Sequence, residues 1–215
     1  MSKVFKSFMS MVITALLLAS LTVVASAQNA PSGYVFIEET LTYNCTISLP
    51  IIPNINFNMP LTIRGHVPTV YTEEPKEPSV RPNQDFKLLN TSATAEVPGD
   101  IVETLDGTLR WNYVQGTVTK FEVLSDNVPA LFDVAPLPIA SMPVPKDGSD
   151  LVFTVPAIGG IDIDPIIAGS SGVINISAGN VTATFVTAGG GLPIPLTANC
   201  QPPSNANLVE IAIVP

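Results

Sequence analysis

The sequence predicts an all-β protein, a single immunoglobulin-like antiparallel β-sandwich with one short helix. Twenty-one prolines and 14 glycines in 215 residues disfavour long helices. Short runs rich in β-branched residues recur between turn residues, at a spacing that suits a sandwich or an open barrel. Residues 117–123 and 174–185 alternate apolar and polar side chains, as strands with one buried face do.

Ten strands are predicted along the chain. They cover residues 34–39, 41–49, 56–66, 85–97, 108–124, 150–155, 172–178, 181–187, 194–200 and 208–214. Gly179-Asn180 predicts a tight hairpin turn between two of them. The helix is expected over 98–105, with Asp100 capping its first amides and Asp106-Gly107 ending it.

Two proline-rich stretches, 71–84 and 135–150, are predicted to be loops. Each holds several prolines, which cannot donate to the ladder of a central strand. Strand patterns continue on both sides of each stretch, so neither stretch is predicted to be a domain boundary.

Residues 1–27 are typical of a signal peptide. Lys3 and Lys6 precede an apolar run over 12–24, and Ala25-Ser26-Ala27 provides small residues before the expected cleavage site. A membrane anchor is the alternative, but a spanning helix needs about 20 apolar residues. The sequence therefore predicts a secreted, extracellular domain over 28–215 with no membrane span after cleavage.

The charge of the mature chain excludes two classes of partner. Without Lys3 and Lys6, seven basic and 18 acidic residues remain, a net charge of −11. Binding to nucleic acid or to an anionic membrane needs a basic patch, so neither partner is expected.

The two cysteines, Cys45 and Cys200, lie near the start and the end of the predicted domain. In an exported chain such a pair is expected to form a disulfide, and closing a loop of this length stabilises by up to about 5 kcal/mol in the chain-entropy model. Metal binding by the pair is the alternative, but the chain has one histidine and no CxxC spacing. A bridge predicts that the first and the penultimate strand are adjacent.

No catalytic residue and no cofactor are predicted. His66 has no Ser-His-Asp or Cys-His pattern around it and is expected to be a structural histidine. Asp162 and Asp164 are candidate calcium ligands, with Asp147 or Asp150 as further ligands, although calcium needs six to eight oxygens. A role of Asp162 and Asp164 as the acid and nucleophile of a glycosidase is not expected, because such a pair converges across a cleft and these two are only two residues apart.

Trp111 and Tyr113 are predicted to share one face of a strand. Packing in the core or on the sheet surface is the expected role of the two rings, and a platform for a carbohydrate is the alternative.

A series of short motifs resembles a family of secreted or surface bacterial domains of unknown function. Domains of this family open with a Tyr-x-Cys-Thr strand and close with a cysteine before a terminal strand. In this sequence the motifs are Leu-Thr-Tyr-Asn-Cys-Thr (41–46), Val-Pro-Gly-Asp-Ile-Val-Glu-Thr-Leu (97–105), Val-Gln-Gly-Thr-Val-Thr (114–119), Pro-Leu-Pro-Ile (136–139), Val-Pro-Lys-Asp-Gly (144–148), Ser-Ala-Gly-Asn-Val-Thr-Ala-Thr-Phe (177–185), Cys200 and the strand 208–214. The resemblance implies a secreted or surface location and no activity that can be assigned to residues.

Three functional classes stay open. The first is a non-catalytic module that binds an extracellular protein or glycan through strand edges and the two proline-rich loops. The second is a structural subunit of an extracellular layer or filament. The third is a lipid-binding cup, which needs a deep apolar cavity, or a secreted hydrolase, which needs convergent carboxylates in a cleft.

Overall fold

The structure is a computed structural model that describes residues 30–49, 52–73, 75–127, 131–188 and 193–215. The predicted signal peptide and its cleavage site lie outside the described residues.

The described chain consists of β-strands and a single helix, which confirms the predicted all-β class. The elements are β1 (Tyr34–Leu49), β2 (Ile52–Pro68), β3 (Ser79–Val80), β4 (Asp85–Val97), α1 (Gly99–Leu109), β5 (Tyr113–Ser125), β6 (Leu131–Asp133), β7 (Leu137–Pro143), β8 (Leu151–Val155), β9 (Ile161–Ile167), β10 (Gly172–Ala188), β11 (Pro195–Gln201) and β12 (Asn207–Ile213).

The strands form one curled, open sheet. They are hydrogen-bonded in the order β3-β12-β10-β11-β1-β2-β4-β8, while β5 pairs with β10 and carries β6 and β7, and β9 pairs with β4. All pairings are antiparallel except that of β3 with β12. The sheet curls until β7 and β8 come within 8 Å of each other without pairing. This topology does not confirm the finer prediction of an immunoglobulin-like sandwich.

Each of three long strands pairs along one edge with two short strands that follow one another along it. β10 pairs with β12 through its first half and with β11 through its second half. β4 does the same with β9 and β8, and β5 with β7 and β6. The long strands therefore run through both halves of the molecule, and each half has its own set of short strands.

Each half has its own hydrophobic cluster on the inner face of the sheet, which is the concave side. The larger cluster is built by β1, β2, β4, β5, β7, β8, β10, β11 and α1. The smaller cluster includes Phe86, Phe132, Ile163, Ile174 and Ile211. Burying one such side chain stabilises by about 1.5–3 kcal/mol, so both clusters contribute to holding the curled sheet together.

β1 shows why the sequence folds into a strand with two different faces. Leu41, Tyr43, Cys45 and Ile47 alternate along the strand and are all buried on the inner face. The residues that alternate with them, Thr42, Asn44, Thr46 and Ser48, lie on the opposite, outer face of the sheet, which is polar. A period of two residues is what a strand requires when only one face is buried.

The predicted disulfide is present and joins neighbouring strands. Cys45 of β1 lies directly opposite Cys200 of β11, and both side chains are buried on the inner face. β11 is the penultimate strand, so the predicted adjacency of the two ends of the domain is confirmed. The bond closes a loop with a sequence separation of 155.

The predicted hairpin at Gly179-Asn180 is wrong, because β10 continues through it as one strand. The pairing of β10 with β5 is irregular between Ala178 and Val181, so Gly179 and Asn180 form a β-bulge. A Cβ on Gly179 would lie 2.6 Å from Cβ of Glu122 on β5. Glycine is therefore needed here for the close approach of β5 and not for a turn.

Other strand predictions differ in extent. The predicted strands 34–39 and 41–49 are one strand, β1, and the predicted strand 108–124 begins only at Tyr113. The loop predicted over 135–150 contains β7, whose prolines are tolerated because it lies at the edge of the sheet beside β5. The loop 71–84 contains the two-residue strand β3, while β6 and β9 were not predicted.

Helix α1 was predicted at the right place but with the wrong ends. Its N-cap is Pro98, and Asp100 makes no capping hydrogen bond from its side chain. Instead Asp150, which precedes β8, accepts a hydrogen bond of 2.8 Å from the Gly99 amide. The helix continues past Asp106-Gly107 to Leu109 and ends at Arg110, whose φ of 47° is left-handed.

We expect two glycines of α1 to respond to alanine in opposite ways. A Cβ on Gly99 would lie 2.0 Å from the Gly148 carbonyl oxygen, whereas a Cβ on Gly107 meets nothing within 4 Å. Gly99→Ala should therefore lower the free energy of unfolding by about 1–3 kcal/mol through overpacking. Gly107→Ala should raise it by about 0.5–1 kcal/mol because alanine loses less backbone entropy in a helix. Denaturant unfolding measures both, and a Gly99→Ala protein as stable as the wild type would contradict the packing described.

We expect the double variant Cys45→Ala/Cys200→Ala to lose up to about 5 kcal/mol of unfolding free energy, because the 155-residue loop is no longer closed in the unfolded state. Denaturant unfolding of the oxidised wild type and of the variant gives the difference. Added reductant should destabilise the wild type and leave the variant unchanged. Equal stability of the variant and the oxidised wild type would show that the bond does not stabilise the fold.

Candidate functional site

The register around the disulfide brings polar residues together on the outer face. Because Cys45 lies opposite Cys200, Asn44 lies opposite Gln201 and Thr46 opposite Asn199. These four side chains point away from the sulfur atoms, on the other side of the sheet.

β2 extends this polar surface on the other edge of β1. Asn44 lies opposite Asn58, and Thr46 lies opposite Asn56. The result is a groove of about 460 Å³ on the outer face, which we call the amide groove. It is lined by Asn44, Cys45, Thr46, Asn56, Phe57, Asn58, Asn199 and Gln201.

Some groove side chains are hydrogen-bonded to one another. The Thr46 hydroxyl donates to Oδ1 of Asn56 over 2.7 Å. On the β10 side, the Thr182 hydroxyl donates to Oδ1 of Asn199 over 3.2 Å. These bonds fix two carboxamides by their acceptor oxygens and leave their NH₂ groups facing outward from the pairs.

Three carboxamides of the groove are unpaired. Within the described chain, the side chains of Asn44, Asn58 and Gln201 make no hydrogen bond, and all three are exposed. Each carboxamide offers two donors and one oxygen with two lone pairs. The groove therefore presents many free donors and acceptors close together.

The amide groove contains no ionisable side chain. Elsewhere on the outer face, two pairs of opposite charges are in contact: Arg64 with Glu38 over 2.5 Å, and Lys120 with Glu122 over 2.6 Å. The groove is uncharged although the whole chain has a formal net charge of −9.

Two inner-face links hold the strands beneath the groove. The first is the disulfide between β1 and β11. The second is Tyr43, whose hydroxyl donates to the Gly179 carbonyl oxygen over 3.1 Å and so joins β1 to β10 across β11. Burial of Tyr43 raises the pKa of its phenol well above the usual value.

The bulge in β10 is also held from the outer face. The Glu122 carboxylate accepts hydrogen bonds from the backbone amide and the side-chain NH₂ of Asn180, over 3.0 and 2.9 Å. The hydrogen bond from Lys120, and then those from Asn180, lower the pKa of Glu122, while partial burial acts in the opposite direction. Glu122 thus stays ionised and fixes the bulge.

The inner face contains an apolar cavity of about 50 Å³. Its lining includes Phe57, Phe121, Phe153, Phe185 and Cys200 and has no polar side chain. Sites for drug-sized ligands measure about 300–1,000 Å³. The cavity has the lining of a lipid cup but not its volume.

His66 is buried in the sheet, with 2% of its surface exposed. Neither ring nitrogen has a hydrogen-bond partner among the described residues, and neither does the nearby hydroxyl of Thr91. Both side chains line a cavity of about 20 Å³, which has room for about one water molecule. The ring also contacts that of Phe36 on β1, with 5.6 Å between the ring centroids. This is the environment of a structural histidine.

The four candidate calcium ligands do not form one cluster: Asp162 and Asp164 line a groove of about 420 Å³ with Asp133, whereas Asp147 and Asp150 precede β8. Asp162 accepts a hydrogen bond from the Asn90 amide, and Asp164 is exposed on the same strand, β9. Asp150 caps α1, and hydrogen bonds from Ser149 lower the pKa of Asp147. Within the described residues, no three metal-binding side chains lie close enough to hold an ion.

Trp111 and Tyr113 do not share an exposed strand face. Trp111 lies between α1 and β5 and is only 3% exposed, whereas Tyr113 begins β5 and is 51% exposed. The pair therefore cannot form the carbohydrate platform that was the alternative to packing.

The amide groove was not predicted from the sequence, although a signal for it exists. Asn54, Asn56 and Asn58 recur at every second position of one strand, and Thr42, Asn44 and Thr46 do so in another. Such alternation places residues of one chemical type on a single face. The sequence does not show that the two runs are neighbours, because this depends on the pairing of β1 with β2.

Comparison with known proteins gives no match: no family model, no curated protein and no solved structure is similar to the chain. The bacterial family that the motifs resemble stays an expectation. Within the described residues, none of the helical structure is long and apolar enough to span a membrane.

We expect Tyr43→Phe to cost about 1 kcal/mol of unfolding free energy at pH 7, because the hydrogen bond to Gly179 is lost. The pKa of Tyr43 is raised in the folded state above the usual 10.0. The stabilisation is therefore complete below pH 10 and decreases as the pH rises further, by up to about 1.4 kcal/mol per pH unit. The gap between wild type and variant should close or reverse near pH 11.

Denaturant unfolding at pH 7, 10 and 11 measures this gap. Tyr113→Phe is the matched control, since Tyr113 is half exposed and its hydroxyl has no partner within the described chain. A gap that does not change with pH would show that the Tyr43 phenol ionises equally well in the folded protein.

Proposed function

We propose that this chain is a non-catalytic, secreted or cell-surface-associated β-protein that binds an extracellular partner through the amide groove. The observation that carries the proposal is the groove itself: about 460 Å³, uncharged, with three unpaired carboxamides on adjacent strands. Binding sites need polar groups that are placed in advance and not already paired.

The position of the groove supports this function. Asn44 and Gln201 each adjoin a disulfide cysteine in the sequence, so the bond beneath them limits relative movement of β1 and β11. A ligand that binds such a surface loses less free energy to ordering the protein than one that binds a flexible loop. The bond also fits an oxidising compartment outside the cytosol.

The alternatives have less support. The 50 Å³ apolar cavity is too small for a lipid. Asp162 and Asp164 lie two residues apart on one strand and line a groove of about 420 Å³ with Asp133 of β6, but Asp162 is hydrogen-bonded to the Asn90 amide. For a layer or filament subunit, the described edge strands β3, β6, β7, β8 and β9 are 2, 3, 7, 5 and 7 residues long, and short edges disfavour strand addition. Such a subunit would have to use the edge of β2 that the described strands leave unpaired before Leu61.

We expect the oxidised mature chain, residues 28–215, to bind washed extracellular and envelope material of the producing cells. Placing charge in the groove with Asn44→Asp/Gln201→Glu should reduce the bound fraction about tenfold or more, because a desolvated carboxylate would lack a partner there. Co-sedimentation of the labelled protein measures the bound fraction.

The control is Gln115→Glu, which adds one negative charge, against two in the groove variant, at an exposed outward-facing position of β5 outside the groove. It should bind like the wild type. If the groove variant also binds like the wild type, the groove is not the binding surface. Release of soluble sugar or peptide fragments from the material would instead indicate a hydrolase.

A further inference from the structure

We propose that the ligand of the amide groove is a neutral polysaccharide. This inference rests on the proposed function, since it names the ligand class of the same surface.

The absence of charge in the groove excludes an ionic ligand chemistry. Its lining has no aspartate, glutamate, lysine, arginine or histidine. A cationic ligand would find no carboxylate, and an anionic one would find no basic group and would be repelled by the net charge of −9. Either ligand would lose its hydration without gaining a counter-charge.

The hydrogen-bonding groups of the groove match sugar hydroxyls. A hydroxyl both donates and accepts, and so does a carboxamide, with two N–H donors and a carbonyl oxygen. The free side chains of Asn44, Asn58 and Gln201 can therefore each donate to one hydroxyl and accept from another. The Thr46 hydroxyl, which donates to Asn56, can still accept a hydrogen bond from a sugar hydroxyl.

A protein partner fits this surface less well. The centres of protein interfaces are enriched in Trp, Tyr, Phe, Met and Arg. Phe57 is the only such residue in the groove lining, and it is half-buried, since it also lines the inner cavity. An extended peptide would add to a strand edge in the plane of the sheet, such as the edge of β2 that is unpaired before Leu61 in the described chain, and would not lie on the carboxamide face.

The arrangement of the groups favours a polymer over a single sugar. Two parallel rows cross the strands: Asn58, Asn44 and Gln201 form one, and Asn56, Thr46, Asn199 and Thr182 form the other. Neighbouring strands lie about 4.7–4.9 Å apart, so each row offers a polar group at that interval. This interval is close to the length of one pyranose unit in an extended chain, so successive sugars can meet successive side chains.

The test is affinity electrophoresis of the oxidised mature chain in gels that contain one polysaccharide each. The neutral polymers are dextran, amylose, mannan and a soluble β-glucan, and polygalacturonate is the anionic one. At least one neutral polymer should retard the wild type, and polygalacturonate should not. Asn44→Asp/Gln201→Glu should weaken binding about tenfold or more, and Gln115→Glu should leave it unchanged.

Asn58→Ala is a second groove variant, which adds no charge and removes no hydrogen bond within the described chain. It should weaken binding about fivefold if Asn58 contacts the sugar. Unfolding midpoints equal to that of the wild type would show that the variants fold. Retention that is the same for the wild type and for both groove variants would overturn the proposal.

The outcomes separate this inference from the function on which it rests. If the chain binds envelope material through the groove but no neutral polymer retards it, the ligand class is wrong and the binding function stands. If neither experiment shows binding through the groove, both proposals fail. Groove-dependent self-association in sedimentation velocity would identify a second copy of the chain as the occupant and would also overturn the polysaccharide.

Discussion

The pairing of β1 with β11, closed by the bond between Cys45 and Cys200, is the constraint on which the other features depend. It joins a strand from the start of the chain to one near its end and places β11 between β1 and β10. On the inner face the two sulfur atoms belong to the larger hydrophobic cluster. On the outer face the same register brings Asn44 beside Gln201 and Thr46 beside Asn199. One pairing thus creates part of the core and part of the groove.

The alternation of apolar and polar residues predicted those strands that have one buried and one exposed face. The strand predicted over 85–97 has the bounds found for β4, and β8, β11 and β12 were placed to within one residue. The errors occurred where tertiary contact overrides a local signal. Gly179-Asn180 has hairpin chemistry, but β5 pairs with β10 on both sides of it and Glu122 holds the Asn180 amide, so the chain continues straight. β7 contains Pro138 and Pro143 and is a strand because β5 leaves it an edge position.

Only those parts of the site that have a local sequence pattern or contain cysteine could be predicted from the sequence. The disulfide was predicted from two cysteines in a chain that is expected to be exported, without any knowledge of the sheet. The groove is formed by uncharged side chains from three strands, and Gln201 lies 143 residues from Asn58 in the sequence. The negative charge predicts that nucleic acid and anionic membranes are not partners, but composition could not show that carboxamides from distant segments lie together. The roles of His66, Asp150 and Trp111 could not be predicted from the sequence, because these roles depend on neighbouring residues that the fold brings together.

The cross-strand bond also determines how the protein would respond to mechanical tension. Because Cys45 and Cys200 face each other on adjacent strands, a pull on the chain beyond the two cysteines passes through the sulfur bridge and bypasses the residues between them. The loop between the cysteines, with β2, β4, β5, β10 and most of the larger apolar cluster, carries none of that load and contributes no extension. Only the segments outside the bridge can lengthen, at about 3.3–3.6 Å per residue, and they include β12 with Val209 and Ile211 of the smaller cluster. A chain held by its ends would therefore keep Asn56, Asn58 and Asn199 in place under load, whereas Asn44 and Gln201 lie just outside the bridge.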